Sequence, residues 1–310
     1  MADLALVADI GGTNTRVALT RGPGIEAASV RRYANTSADG IGTILQRYLD
    51  ETNTSIDAID GACVAGAGPV RNSVVTLTNL GWRIDRGTLA EALTAYRLAV
   101  LNDLQAQAHA LGHLDPDALT EILPNRDPTP QAAKLVIGMG TGFNVAPVYD
   151  TIAGRIVPPS EAGHIALGDA GGPAAPVIAA LRAKLGFAAV EEALSGRGIG
   201  QVHAALHGTV RDAASIMAGL DAGERDAEDT VRTVVQILGA VVGDLALLFL
   251  PFGGIYLCGG VSRSLAPHFA RFGFADAMRA KGRFAPLIEE FGVSLIADDY
   301  AALRGCAAHL

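Results

Sequence analysis

The chain has 310 residues, half of them hydrophobic and 18% charged, which makes it globular rather than disordered and long enough for two core-bearing lobes or one large α/β unit. Its formal net charge of −8 at pH 7 argues against a nucleic acid or an anionic membrane surface as the main partner.

Residues 4–19 read as strand, tight turn and strand. An apolar run from Leu4 ends at Asp9-Ile10, turns through Gly11-Gly12-Thr13-Asn14 and resumes as an alternating run. Paired glycines let backbone N–H groups approach a ligand closely, while Thr13, Asn14 and Arg16 add polar contacts and a fixed positive charge, a combination that suits a phosphate. Asp9 at the mouth of the turn suits Mg²⁺, which prefers a carboxylate and retained water. The plainer alternative is a hairpin whose glycines only satisfy turn geometry. The opening Met1-Ala2-Asp3 lacks a basic region and the apolar run breaks at Asp9, so no signal peptide is expected. Cys63, Cys258 and Cys306 show no metal-ligand spacing and fit reduced thiols in a cytoplasmic protein.

A third strand is expected at Val30 to Tyr33, a helix from Gly40 to Asn53, a buried strand from Ala58 to Ala67 ending at Gly66-Ala67-Gly68-Pro69, and a strand from Val70 to Asn79 before Trp82. Asp85 to Tyr96 reads as a helix. Leu98 to Asp103 is an apolar strand ending in Asn102-Asp103, followed by a helix from Leu104 to about Leu111. Ligands of open α/β sheets bind beyond the carboxyl ends of strands, so Asp103 is placed to take a proton from an attacking hydroxyl and Asn102 to orient a substrate. A helix N-cap explains the same pair equally well.

Pro124 to Pro130 reads as a loop. A second strand, turn and strand follows at Lys134 to Tyr149, with Gly138-Met139-Gly140-Thr141-Gly142-Phe143-Asn144 at the turn, so the opening feature recurs about half a chain later. Two such sheets could offer backbone nests to one polyphosphate. In the loop Pro158 to Ile165, Glu161 and His164 lack a third ligand for zinc and are better used in hydrogen bonds to a polyhydroxy compound. Helices are expected at Pro176 to Leu185 and Ala189 to Leu194, the latter carrying Glu191 and Glu192 in its first turn and ending at Ser195-Gly196-Arg197-Gly198. Further helices are expected at Asp212 to Ala222, Asp226 to Leu250, Ala266 to Ala280 and Tyr300 to His309, with strands at Gly253 to Val261 and Phe291 to Ile296. The apolar stretch Val234 to Phe252 is broken by Gly239, Gly243, Asp244 and Pro251, and reads as a buried helix rather than a membrane span.

The ordered set Asp9-Ile10-Gly11-Gly12-Thr13-Asn14, Leu101-Asn102-Asp103, Gly140-Thr141-Gly142, Ser160-Glu161-Ala162-Gly163-His164, Leu194-Ser195-Gly196-Arg197-Gly198 and Cys258-Gly259-Gly260 resembles the bacterial glucokinase family, within the actin-like ATPase and sugar-kinase superfamily. The resemblance spans essentially the whole chain. It implies an α/β fold of two actin-like (ribonuclease H-like) lobes with a central cleft, glucose deep within it and MgATP at its mouth. The division expected is residues 1–103 with 299–310 as a small α/β domain and 104–298 as a large one. By the same resemblance Asp103 would be the general base for the glucose 6-hydroxyl, and Asn102, Glu161, His164 and Glu191 would hydrogen-bond the sugar. Gly11, Gly12, Thr13, Asn14, Gly140, Thr141 and Gly142 would cradle phosphates. Asp9 would bind magnesium through water, and Gly259 and Gly260 would lie near the adenosine.

The chain departs from the family pattern twice. Phe143-Asn144 stands where the family usually has an apolar residue and a glycine, so Asn144 could crowd or re-aim a phosphate. Ser160 and Ala162 flank Glu161 where glycines are usual, which leaves hexose selectivity open. The cysteine-rich zinc motif of the related repressors and kinases is absent, and no DNA-binding head is expected before the hairpin at residue 4. The expected activity is ATP-dependent phosphorylation of glucose to glucose 6-phosphate, feeding glycolysis in the cytoplasm. The alternatives are a kinase for another hexose or amino sugar, or a non-catalytic sugar- or nucleotide-binding relative. The expected partners are glucose and ATP, without nucleic acid or membrane, in a homodimer; Val234 to Leu250 would serve an interior or a dimer interface equally well.

Overall fold

The computed structural model describes residues 4–68, 70–71, 74–77, 80–127, 129, 131–168 and 174–310. Pro69, Thr78 and Asn79 of the expected strand region, and Pro128 and Pro130 of the expected loop, lie outside the described residues. The chain divides into two compact units. The first comprises Met1–Ala118, Val157–Pro159 and Asp298–Leu310, and the second comprises Leu119–Ile156 and Ser160–Ala297.

In the first unit, β1 (Leu4–Ile10) and β2 (Asn14–Arg21) form the opening hairpin, with Asp9 opposite Arg16 and Ile10 opposite Thr15. β3 (Gly24–Ile25) and β4 (Arg31–Ala34) both pair with β2. On its other edge β1 runs parallel to β5 (Gly61–Gly66), and β5 runs parallel to β9 (Arg97–Asn102). Strands bordered by parallel partners are covered on both faces, which is why β1 is an apolar run with Leu6, Val7, Ala8 and Ile10 fully buried. One face is covered by α1 (Ile41–Glu51), whose Ile41, Ile44, Leu45, Tyr48 and Leu49 recur at helical spacing and are buried.

Where one strand was expected from Val70 to Asn79, the described residues form β6 (Val70–Arg71) and β7 (Val74–Leu77), and β8 (Trp82–Ile84) pairs antiparallel with β7. α2 (Arg86–Ala92) is capped by Asp85, whose carboxylate accepts from the Thr88 N–H. The first unit also runs past the boundary expected after Asp103. Its α3 (Asp103–His109) packs on the C-terminal helix at Ala301–His309, where a Cβ on Gly305 would lie 1.6 Å from the Ala106 carbonyl oxygen. That close seating keeps the helix carrying Asp103 with the first unit.

The second unit repeats the arrangement. β11 (Lys134–Met139) and β12 (Phe143–Thr151) form a hairpin extended by β13 (Gly154–Ile156). β11 also runs parallel to β14 (Ile255–Cys258), and β14 parallel to β15 (Val293–Ile296). β10 (Leu119–Leu123) closes the far edge against β15. A hairpin with a third antiparallel strand outside it and two parallel strands inside it thus occurs once per unit.

The helices of the second unit are α4 (Ala174–Leu185), α5 (Gly196–His207), α6 (Ala213–Asp221), α7 (Arg225–Phe249), α8 (Gly260–Leu265), α9 (Phe269–Phe272), α10 (Phe274–Arg279) and α11 (Ala285–Ile288), before α12 (Ala301–His309) of the first unit. α7 is the core helix, buried on most sides. It is the one helix among the described residues long and apolar enough to cross a membrane, and 67% of its apolar window is buried inside the protein. The expected single helix at 266–280 is broken where Pro267 lacks a donor and Gly273 adopts φ 77°. Ser195-Gly196-Arg197-Gly198 opens α5 rather than ending a helix, because the Ser195 hydroxyl caps it, accepting from the Gly198 N–H at 2.9 Å.

Candidate active site

The first turn is held from beneath while its tip stays exposed. The Gly11 N–H donates to the Asn14 carbonyl at 3.0 Å, and Gly12 and Thr13 face solvent. Buried Asn35 is the support: its Nδ2 donates to the Gly11 carbonyl at 2.8 Å, its Oδ1 accepts from the Thr15 hydroxyl at 2.8 Å, and its N–H donates to the Thr13 carbonyl at 2.9 Å. Neither Gly11 nor Gly12 has a positive φ, and a Cβ on Gly12 would meet nothing within 4 Å. Turn geometry alone therefore does not require glycine here. Space kept open over exposed amides is what a close-approaching anion needs.

Asp9 lies behind this tip. Burial pushes its carboxyl pKa up, and the Arg16 guanidinium, 3.8 Å away, opposes that shift. Arg16 also donates to the Asp299 carbonyl at 2.9 Å. The positive charge assigned to a phosphate from sequence is thus turned toward Asp9 and Asp299. Among the described residues, no cluster of three or more His, Cys, Asp or Glu side chains could hold a metal ion. One desolvated carboxylate beside a phosphate cradle is a donor set that fits Mg²⁺, which keeps several waters and shares phosphate oxygens, and does not fit a protein-caged ion.

Asn102 is the N-cap of α3, so the capping explanation holds for this residue. Its Oδ1 accepts from the Leu104 N–H at 2.9 Å, its own N–H donates to Gln105 Oε1 at 3.1 Å, and its Nδ2 donates to the Gly68 carbonyl at 2.9 Å. Asp103 is the first residue of α3 rather than the last of the strand. It is half-buried, and its Oδ1 accepts from the Leu104 N–H at 2.8 Å. A helix N-terminus favours the ionised carboxylate, the form that can accept a proton. Gln105 also donates to the Val157 carbonyl at 2.7 Å, which ties the start of α3 to the 157–159 segment of the same unit.

The second turn sits among three elements of its own unit. The Gly140 N–H donates to the Gly142 carbonyl at 2.9 Å, and the Gly140 carbonyl accepts from the Gly196 N–H, at the start of α5, at 2.8 Å. The Phe143 N–H donates to Glu191 Oε2 at 3.1 Å. Glu191 and Glu192 lie in a 3₁₀ turn, Val190–Glu192, where a helix was expected. Asn144 does not crowd the turn as the sequence suggested. It lies within β12 opposite Gly138, without a positive φ, and its amide points at the Ser160–Ala162 loop.

Glu161 and His164 are exposed in that loop, whose 162–164 segment is a 3₁₀ turn. Burial disfavours the Glu192 carboxylate, yet hydrogen bonds from Gln201 and Arg197, together with the Arg197 charge, hold its carboxyl below the usual range. Gly259 ends β14 with φ 95°, and a Cβ there would lie 2.4 Å from the Met139 carbonyl oxygen, so only glycine fits between the strand end and the second turn. Beside the start of α5 lies a groove of about 570 Å³ lined by Arg197, Gln201 and Arg211 together with Ala204, Val210 and Ala213.

A glucokinase family model matches residues 6–310. The chain belongs to the glucokinase family. It is 30% identical over 314 residues to a glucokinase of Marinobacter nauticus, covering 99% of this chain and 97% of that protein. It is likewise 30% identical over 317 residues to a glucokinase of Cronobacter sakazakii, covering 100% of this chain and 98% of the other. The structure of a glucokinase from an Antarctic psychrotroph superposes with a TM-score of 0.88 at 30% identity, covering 100% and 99% of the two chains. The α/β fold with its actin-like, sugar-kinase topology follows from membership in this family, as the repeated hairpin indicates.

Sequence reasoning missed the residues that support the turns. Asn35 follows a short exposed strand and carries no motif. Gln201 belongs to no motif, and Ser195, although part of the Leu194–Gly198 motif, holds the Val190–Glu192 turn only because α5 begins at Gly196.

Proposed function

We propose that the chain phosphorylates glucose at its 6-hydroxyl with ATP, giving glucose 6-phosphate and ADP. The observation that carries this reading is the pair of repeated hairpins with internally supported Gly/Thr tips, in a chain matched to the glucokinase family from residue 6 to its end. Gly11, Gly12, Thr13 and Asn14 of one tip and Gly140, Thr141 and Gly142 of the other cradle the phosphates, with the Gly11 and Gly140 N–H groups closing the turns and the tip residues between offering the donors. The adenosine lies near Gly259 and Gly260, beside the groove at α5. Asn102, Glu161, His164 and Glu191 bind the sugar hydroxyls.

Asp103 takes the proton from the 6-hydroxyl as its oxygen attacks the γ-phosphorus, and ADP carries away the displaced charge. The cap on α3 fixes where that carboxylate points. Bound Mg²⁺, held by Asp9 through water, would neutralise charge on the phosphates. The remaining work of the protein is orientation. The reading includes a cytoplasmic reaction that feeds glycolysis and a homodimeric assembly.

The test is incubation of the purified chain with MgATP and a panel of hexoses and amino sugars, following ADP and the phosphorylated sugar. Glucose is expected to give the highest kcat/KM. A faster sugar would transfer the reading to that substrate, and sugar-dependent thermal stabilisation without turnover would mark a non-catalytic relative. No turnover with any hexose overturns the kinase reading.

A further inference from the structure

Asn144 of β12 and Ser160 of the loop that carries Glu161 meet in one contact. The Asn144 amide lies between the Ser160 and Ala162 backbones and holds each. Its Nδ2 donates to the Ser160 carbonyl at 2.6 Å, and its Oδ1 accepts from the Ser160 hydroxyl at 2.9 Å, the Ala162 N–H at 3.0 Å and its own neighbour Val145 N–H at 2.9 Å. The Ser160 hydroxyl sits 2.7 Å from the Val145 carbonyl as well, so it bridges loop and strand. Glu161 is the residue between the two held peptides. One turn further on, Gly163 presses on β12, where a Cβ would lie 2.0 Å from the Phe143 carbonyl oxygen. The backbone carrying Glu161 and His164 is therefore fastened to β12 before, after and beyond Glu161.

A loop with glycines on both sides of its glutamate can adjust to the ligand and loses that freedom on binding. A loop tied down in advance loses less, and tolerates less variation in the hydroxyls it meets. We infer that Asn144 and Ser160 act together as positioning residues that preset the Glu161–His164 loop and so set hexose selectivity, an inference that rests on the glucokinase reading above. Their partnership also answers why this chain tolerates an asparagine next to its second turn: the amide is directed to the loop, away from the tip.

The experiment measures glucose, mannose and ATP kinetics for the wild type, Asn144→Ala, Ser160→Ala and Ser160→Thr, with glucose-dependent thermal stabilisation beside each. Asn144→Ala leaves the Ser160 carbonyl and Ala162 N–H without their partner, and is expected to raise the glucose KM about tenfold, with a smaller fall in kcat and an unchanged ATP KM. The preference for glucose over mannose, its 2-epimer, is expected to narrow in the same variant. Ser160→Ala should show the same pattern more weakly and add little on top of Asn144→Ala, since both cut one network. Ser160→Thr keeps the hydroxyl and should stay near the wild type.

An unchanged glucose KM and selectivity in both alanine variants would overturn the inference while leaving the kinase reading intact. An equal loss of kcat on both sugars with no change in KM would also overturn it, as the mark of a merely structural role. Should Asn144→Ala fail to fold, the contrast between Ser160→Ala and Ser160→Thr decides. A wild type that neither turns over glucose nor is stabilised by it would overturn the reading and the inference together.

Discussion

The turn at Gly11–Thr13 and the turn at Gly140–Gly142 join hairpins of the same topology, yet they are supported by different chemistry. Beneath the first lies a neutral amide, Asn35, that touches the Gly11 carbonyl and the Thr15 hydroxyl, while the adjacent carboxylate, Asp9, is engaged by Arg16. Beneath the second lies a carboxylate from a separate segment, Glu191, which accepts from the Phe143 N–H, and the residue after Phe143 ties down the loop of Glu161. The first support touches no residue proposed to bind sugar; the second is itself one of them, and Asn144 beside it holds the backbone on both sides of another, Glu161. Within the second unit, phosphate-side and sugar-side elements therefore share supports, whereas the first turn stands on its own. Their bases differ too. Lys134 and Arg155 clamp Asp150 at the foot of the second hairpin, and the Thr20 hydroxyl, placed against the Gly22 and Gly24 carbonyls, does that work in the first.

The contrast can be tested by variants on each side. The largest effect is expected at Asp9. Asp9→Ala removes the carboxylate proposed for magnesium, and kcat should fall by about 10²-fold or more with a raised Mg²⁺ requirement, read from rate against Mg²⁺ concentration. A variant with wild-type Mg²⁺ dependence would remove Asp9 from the metal site. Next comes Asn35→Ala, which strands a buried hydroxyl and a carbonyl. A stability loss of about 1–3 kcal/mol is expected in denaturant unfolding, with the ATP KM raised and the glucose KM unchanged. A matching rise in the glucose KM would show that the first turn is coupled to the sugar after all.

The smallest effect is expected at Asp150. Hydrogen bonds from Arg155 and Lys134 outweigh its burial and hold its carboxyl at about 2, down from 3.8. A depressed carboxyl stabilises the fold above its unfolded pKa, and that contribution fades as pH falls through the folded one. Asp150→Asn should therefore cost about 1 kcal/mol at pH 7, discounted for its partial exposure, and the gap to the wild type should close between pH 3.8 and about 2. No equivalent acid-sensitive step is expected from the Thr20 side of the comparison.

Both hairpins could be read from sequence because local patterns specify them: an apolar run, a Gly/Thr step and a second run. The buried α7 was legible for the same reason. What could not be read was where one backbone supports another. Asn35 is separated from the turn it holds by a strand, and its role depends on β4 pairing with β2. Asn144 looked like a disturbed turn residue because it stands two residues after Gly142, where the resemblance implies another glycine, while its partners lie in a loop fixed by tertiary contact. The capping role of Asn102 was legible from the residue type at a strand-to-helix junction, and the structure shows that cap. The boundary after Asp103 was placed one helix too early because what keeps α3 with the first unit is tertiary, the seating of Gly305 on Ala106 among it.

The central claim is that this chain transfers phosphoryl from ATP to glucose with Asp103 as the base. Steady-state ADP release and glucose binding, measured on the wild type and on Asp103→Asn, test it most directly. The wild type should release one ADP per glucose 6-phosphate formed, while the variant should bind glucose with little change and lose about 10²- to 10⁴-fold in kcat. Near-normal turnover by Asp103→Asn, or a wild type inactive on glucose, would contradict it.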